Sequence, residues 1–399
     1  MSVKRLALVV MAAVGAIAAT ASPAFALSAT ADTTWMTNGK VFALAQSGNT
    51  LYVGGKFAQL VSPDGATKIK VKSLGRYDAT TGNGIAGWGP KITQDGKAGT
   101  VRALAVSADG SMLYVGGTFN AVDGVVVKNF AVVSTTDGSL IAGFQHKFNT
   151  AVHVIKVAPN LVYVGGAFTT VDGAARNFLA ALDPSTGALD STWLPSANDT
   201  ARSFALASDG TTMFIGGIFT TMDGVSRQSV ARVDRTTGAL DPWAIPAGVI
   251  APPQTAWALI ATPTRLYGGF GHGPNYAAAF RLDNPPPNTT VGTQVWRFST
   301  VGNVESLALS NDGTRLFMGG HFGTGRLQQT VCGQPLHGLM SVNPATGAAY
   351  CDWFPAITPF GSNFTGAWAM LSTGTKLYVG GLIDAINGVN HVGLARFPL

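Results

Sequence analysis

The stretch Leu113-Tyr114-Val115-Gly116-Gly117-Thr118-Phe119 (LYVGGTF, 113–119) decides the fold, because the chain writes it again and again. It returns as LYVGGKF at 51–57, VYVGGAF at 162–168, MFIGGIF at 213–219, LYGGFGH at 266–272, LFMGGHF at 316–322 and LYVGGLI at 377–383. The first glycine of each pair falls at 54, 116, 165, 216, 268, 319 and 380, a step of about 50 residues with two longer steps near 60. A fixed period of this size is the signature of a propeller, a solenoid or an array.

Working outward from the glycines recovers a whole unit. An apolar run ending in a turn precedes them, as in VRALAVSADG at 101–110 and ARSFALASDG at 201–210. A polar loop follows, with VDG or a close variant at 122–124, 171–173 and 222–224, and then a third apolar run such as FLAALD at 178–183. A Thr-Gly turn leads to a closing aromatic: Trp88, Phe144, Trp193, Trp243, Trp296 or Trp353. The runs are short, rich in Val, Ala, Leu, Tyr and Phe, and bounded by Asp-Gly, Thr-Gly or Asn-Gly, which signals strands and hairpins rather than helices. Asp-Gly suits a tight hairpin because Gly, and less easily Asp, accepts positive φ. Four antiparallel strands per unit, repeated seven times, predict an all-β chain folded as a seven-bladed β-propeller. Glycine weakens a strand unless something must come close. The pair is therefore expected to let neighbouring sheets approach near a narrow axis. A phosphate-cradling loop fits poorly, because no helix follows and a lysine follows directly in the first copy alone, at Lys56.

Residues 1–26 stand apart. Lys4 and Arg5 precede the apolar LALVVMAAVGAIAA, and the segment ends Ala24-Phe25-Ala26. This reads as a secretory signal peptide cleaved between Ala26 and Leu27. No later apolar stretch is long enough to span a bilayer. The expected organisation is a signal peptide at 1–26 and one propeller domain at 27–399. Within the domain, ADTTW at 31–35 resembles LDSTW at 189–193, the closing strand of a unit, while the seventh unit stops at GLARFPL without one. The two defects are complementary, so the strand around Trp35 is expected to join the last blade and close the ring, removing an exposed edge. The first, fifth and sixth units are irregular: a long loop with Lys68, Lys70 and Lys72, a shortened loop before Pro285–Pro287, and the insertion GTGRLQQTVCGQPLHG. A site added to the scaffold is expected in their loops.

Fifty glycines and only 12% charged residues suit a turn-rich β protein with many buried strand faces. The formal charge of +6 becomes 6 − 2 = +4 when Lys4 and Arg5 leave with the signal. Lys and Arg are scattered, without the basic stripe of a nucleic-acid binder. Cys332 and Cys351 both fall in the sixth unit, and an exported chain meets oxidising surroundings, so a disulfide pinning the insertion to its own blade is expected.

The unit LYVGGxF–xxVDG–LARLDxxTGALD–xxW resembles the delta-60 repeat of bacterial secreted proteins, a β-propeller repeat type. The likeness covers nearly all of residues 27–399 and is clearest in the second to fourth units. The repeat implies architecture; it carries no catalytic residues to transfer.

Chemistry-bearing residues are few. Asp123, Asp172 and Asp223 belong to the VDG loops and should share one rim, where a ring of carboxylates suits calcium; the competing reading is that Asp-Gly simply makes the turn. His272 and His321 occupy nearby positions in neighbouring units, a pair short of the third ligand a metal site needs. No Gly-x-Ser-x-Gly elbow is present, and paired carboxylates for glycoside hydrolysis cannot be assembled from the few acids. The expected role is a secreted, non-enzymatic binding or scaffold module for protein or cell-surface carbohydrate, with no catalytic residue and no required cofactor. The alternative is an extracellular hydrolase or lyase acting on a polysaccharide at the propeller funnel.

Overall fold

A computed structural model describes residues 27–283, 292–323, 328–358 and 365–399. The segment 1–26, expected as a signal peptide ending at Ala26, and the proline run at 285–287 lie outside the described residues. All of the described secondary structure is β, in many small antiparallel sheets.

The seven copies of the repeat form seven sheets built alike. In each, the first strand pairs with the glycine-bearing strand, which pairs in turn with the third apolar run. The first strands are Lys40–Ser47, Thr100–Val106, Val152–Val157, Ala201–Leu206, Thr255–Ala261, Val304–Leu309 and Gly366–Ser372. Each lies against the first strand of the next unit, and Gly366–Ser372 lies against Lys40–Ser47. The hydrophobic core is divided the same way. Seven buried clusters each join two successive units, and one of them joins Tyr378 and Leu394 of the last unit to Val41, Leu51 and Tyr77 of the first. The VDG loops form small hairpins such as Ala121–Val122 with Val125–Val126.

The glycine pair has two separate jobs. A Cβ on Gly116 would run into Val152 of the next unit's first strand, and one on Gly380 would run into Val41. The first glycine is thus a place of close approach between sheets. A Cβ on the second glycine, as at Gly117, would strike the carbonyl of Thr100 in its own sheet. That carbonyl is displaced toward it because the first strand bulges there.

The fourth strand departs from expectation. Among the described residues only the fifth unit, whose sequence is the least regular, has one: Gln294–Ser299 pairs with Tyr276–Arg281. In five other units the closing segment touches the third strand through a single bridge, as in Leu182 with Leu189. The causes are local. In the third unit Asp190 accepts hydrogen bonds from the backbone N–H of Thr192 (2.8 Å) and Trp193 (2.6 Å), curling the chain out of the ladder, and Pro195 follows. In the first and second units Gly87 and Gly143, at φ of 78° and 88°, turn the chain just before the aromatic. The segment QVWRFS has neither Asp nor Pro. The closing tryptophans instead bind through their indole N–H. Trp88, Trp193, Trp243 and Trp296 donate to carbonyls of the following unit, at Ser134, Asp234, Arg281 and Pro344.

Residues 27–37 lie between the last unit and the first. The backbone N–H of Asp32 donates to the carbonyl of Arg396, as Asp190 does to Ala181 and Asp241 to Arg232 within their own units. Asp32 also pairs with the Arg396 guanidinium (2.9 Å), as Asp241 does with Arg232. The Trp353 indole donates to Ser28 (3.2 Å), and Trp35 packs beside Tyr77 and Val41. Cys332 and Cys351 form a disulfide with Cα atoms 5.6 Å apart, tying the hairpin of the sixth unit to its closing segment. Among the described residues, no helix is long and apolar enough to cross a membrane.

Candidate functional site

The site is made by the bulges. In all seven first strands the pairing register skips one residue: Phe42, Arg102, His153, Arg202, Trp257, Glu305 and Trp368. A bulge re-aims the extra side chain. All seven side chains line one cavity of about 460 Å³, within the range of small-molecule sites, ~300–1,000 Å³. A second space of about 260 Å³ continues from it, bordered by the apolar residues two positions further along, among them Leu104, Phe204 and Met370.

The bulged residues follow one another in unit order as Phe, Arg, His, Arg, Trp, Glu, Trp, so the three basic side chains are consecutive. Among the described residues, neither Arg102 nor Arg202 has a carboxylate within ion-pair distance. Arg102 instead lies over the Phe42 ring (5.1 Å) and Arg202 over Trp257 (5.0 Å). Burial lowers the pKa of both guanidiniums, that of Arg202 to about 10, and the charge of Arg102 adds to the effect at Arg202. Arg202 Nη1 lies 3.4 Å from His153 Nδ1. A guanidinium can only donate, so Nδ1 accepts and the imidazole is neutral. Burial, with Arg202 and Arg102 beside it, lowers the His153 pKa to about 3.

Across from this basic arc stands Glu305, the one carboxylate among the described lining residues. Its Oε1 lies 2.9 Å from His321 Nδ1. Trp368 is stacked on Phe42, with ring centres 4.9 Å apart. Trp257 meets His272 edge-on at 5.0 Å, and His272 sits 3.2 Å from the Thr255 hydroxyl with its backbone N–H on Asn303 Oδ1. Burial first, then Arg202, lowers the His272 pKa. Four buried polar atoms in this wall have no hydrogen-bond partner among the described residues: Arg102 Nε, Arg202 Nε, Trp257 Nε1 and Glu305 Oε2. Buried polar groups are normally satisfied, so water or a ligand in the cavity is left to meet them.

The residues singled out in the sequence are distributed differently. His272 and His321 both reach the cavity, His321 held by Glu305. No group of three or more metal-ligating side chains occurs among the described residues. Asp123, Asp172 and Asp223 stay in their hairpins, with φ of 49°, 50° and 51°. Each accepts a backbone N–H, from Lys91, Lys147 and Ser196 respectively, and Asp172 also holds His146. Turn chemistry therefore accounts for them. The cavity draws on the first strands of all seven units and, beside them, on His272, Asn303 and His321, which follow or precede strands of the irregular fifth and sixth units. Its signal was present as a column: the residue after Val41, Val101, Val152, Ala201, Ala256, Val304 and Ala367 is the one place in the apolar run where aromatic and charged residues alternate. Compared with known proteins, the chain matches no family model, and no curated protein is significantly similar to it.

Proposed function

We propose that the seven sheets are the blades of a seven-bladed β-propeller of the delta-60 repeat kind, closed by the N-terminal segment, and that the protein is an exported binding module that takes an anionic ligand at its centre. The cyclic run of neighbouring first strands and the contacts of Asp32 support the ring. The disulfide accords with an oxidising compartment, as an exported protein would meet. The observation that carries the functional reading is the convergence of seven bulged side chains, two of them guanidiniums without a carboxylate partner, on one cavity. A guanidinium is a strong, directional donor to carboxylate, sulfate or phosphate. The test is to incubate the protein lacking residues 1–26 with acidic and neutral polysaccharides and with bacterial cell wall, assaying bound protein and released products. Retention on acidic material without product is expected; retention on none of it removes the reading.

A second reading, a lyase, is favoured by Glu305, whose Oε2 has no partner among the described residues and which lines the same cavity as the two guanidiniums. A carboxylate so placed can take a proton from the carbon next to a substrate carboxylate while the guanidiniums hold the charge. Release of unsaturated fragments in the same assay would establish it.

A further inference from the structure

We infer that the cavity recognises a carboxylated sugar, a hexuronate residue, with its carboxylate between Arg102 and Arg202, a hydroxyl donating to Glu305 and its ring against the tryptophans. This rests on the reading of the cavity as an anion site and narrows it to a chemical class. Three observations favour that class over other anions.

The first is the balance of unmet hydrogen bonds. Arg102 Nε, Arg202 Nε and Trp257 Nε1 are donors, and Glu305 Oε2 is an acceptor. A ligand that completes the wall must offer several acceptor oxygens and at least one donor. A sugar acid offers both. Acetate and sulfate offer no donor to Glu305.

The second is charge. Among the described lining residues two guanidiniums face one carboxylate, Glu305, which also holds His321, while His153 is neutral. A monoacid offsets the surplus of guanidinium charge. A neutral sugar leaves that surplus, and a zwitterionic amino acid leaves it while setting an ammonium among the cations.

The third is the wall itself. Phe42, Trp257 and Trp368 supply apolar surface between the charged groups, Phe42 mainly through its edge because Trp368 and Arg102 lie over its ring. The C–H faces of a pyranose ring pack on such surface, whereas an inorganic anion makes no use of it. The volume of about 460 Å³ also exceeds what an inorganic ion fills.

Calorimetric titration of the folded protein tests this with galacturonate, galactose, acetate and inorganic sulfate as probes. Galacturonate is expected to bind at least about tenfold more tightly than galactose, because charge-assisted hydrogen bonds are lost with the carboxylate. It should also exceed acetate and sulfate. Arg102→Met and Arg202→Met should each abolish galacturonate binding without lowering Tm, because among the described residues neither guanidinium has a carboxylate within ion-pair distance and both are largely out of solvent. A merely structural role would instead lower Tm. Glu305→Gln should weaken galacturonate and leave sulfate unchanged. Sulfate or acetate binding as tightly as galacturonate would overturn the sugar-acid class and leave the anion site standing. Galactose binding equally well would overturn the role of the arginines. No binding by any probe would remove the anion site as well.

Discussion

Replacing Asp32 by alanine should destabilise the whole molecule, although Asp32 is only the sixth of the described residues. Its Oδ2 accepts from Lys376 Nζ at 2.7 Å and from Arg396 Nε at 2.9 Å. The lysine side chain is 25% exposed, and a pair of that kind contributes about 0–1 kcal/mol. Arg396 is different: its side chain is 7% exposed, so losing Asp32 leaves a nearly buried guanidinium without its carboxylate. Removing one partner of a buried pair costs about 3–5 kcal/mol. Arg396 keeps hydrogen bonds to the carbonyls of Ala79 and Thr80, and water can enter where Asp32 was, so we expect about 2–3 kcal/mol in all. The assay is thermal unfolding of Asp32→Ala beside Asp241→Ala, which breaks the equivalent Arg232 pair inside one unit. Asp32→Ala should lower Tm by at least as much, because its partners lie 344 and 364 residues away and its loss frees the segment joining the last unit to the first. Adding Arg396→Met should recover part of the loss by removing the unpaired charge. If Asp32→Ala leaves Tm unchanged while Asp241→Ala lowers it, the N-terminal segment does not complete the last unit.

Two further outcomes concern stability. His153 has a folded pKa of about 3 because of burial and the adjacent arginines. Its unfolded value is about 6.5, so between these limits the unfolded chain binds the extra proton and stability falls as pH drops from 6.5. Between pH 7 and 4.5, His153→Gln should remove up to about 2 kcal/mol of that loss, read from Tm at the two pH values; an unchanged acid slope would show that the ring is not held neutral. Substituting Cys332→Ser and Cys351→Ser should reduce stability by on the order of 3 kcal/mol by releasing a 19-residue loop. Titration of the denatured, unreduced wild-type protein should find no free thiol, and two free thiols would refute the bridge.

What could be read in the sequence was what repetition exposes. The recurrent glycine pair marked the inner strand of each of the seven repeat sheets, and Gly380 meeting Val41 follows from the same rule as Gly116 meeting Val152. The likeness of ADTTW to LDSTW pointed to the hydrogen bond from Asp32 to Arg396, because equal letters at equal spacing make equal contacts. The site was harder to see for a physical reason. A bulge changes register, not hydropathy period, so Arg102 and Glu305 resemble ordinary solvent-facing residues of an alternating strand. Only the second glycine, which makes room for the displaced carbonyl as at Gly117 and Thr100, betrays the bulge. The fourth strand was misjudged because Leu189 and Trp193 read as strand residues, while the side chain of Asp190 between them bends the chain away.

The most direct test is a crystal structure of residues 27–399 grown or soaked with galacturonate. The account predicts seven first strands around one cavity, residues 27–37 seated between the last and first units, and a sugar with its carboxylate on Arg102 and Arg202. Bulged side chains that face separate surfaces, or a sugar bound elsewhere with this cavity empty, would contradict it.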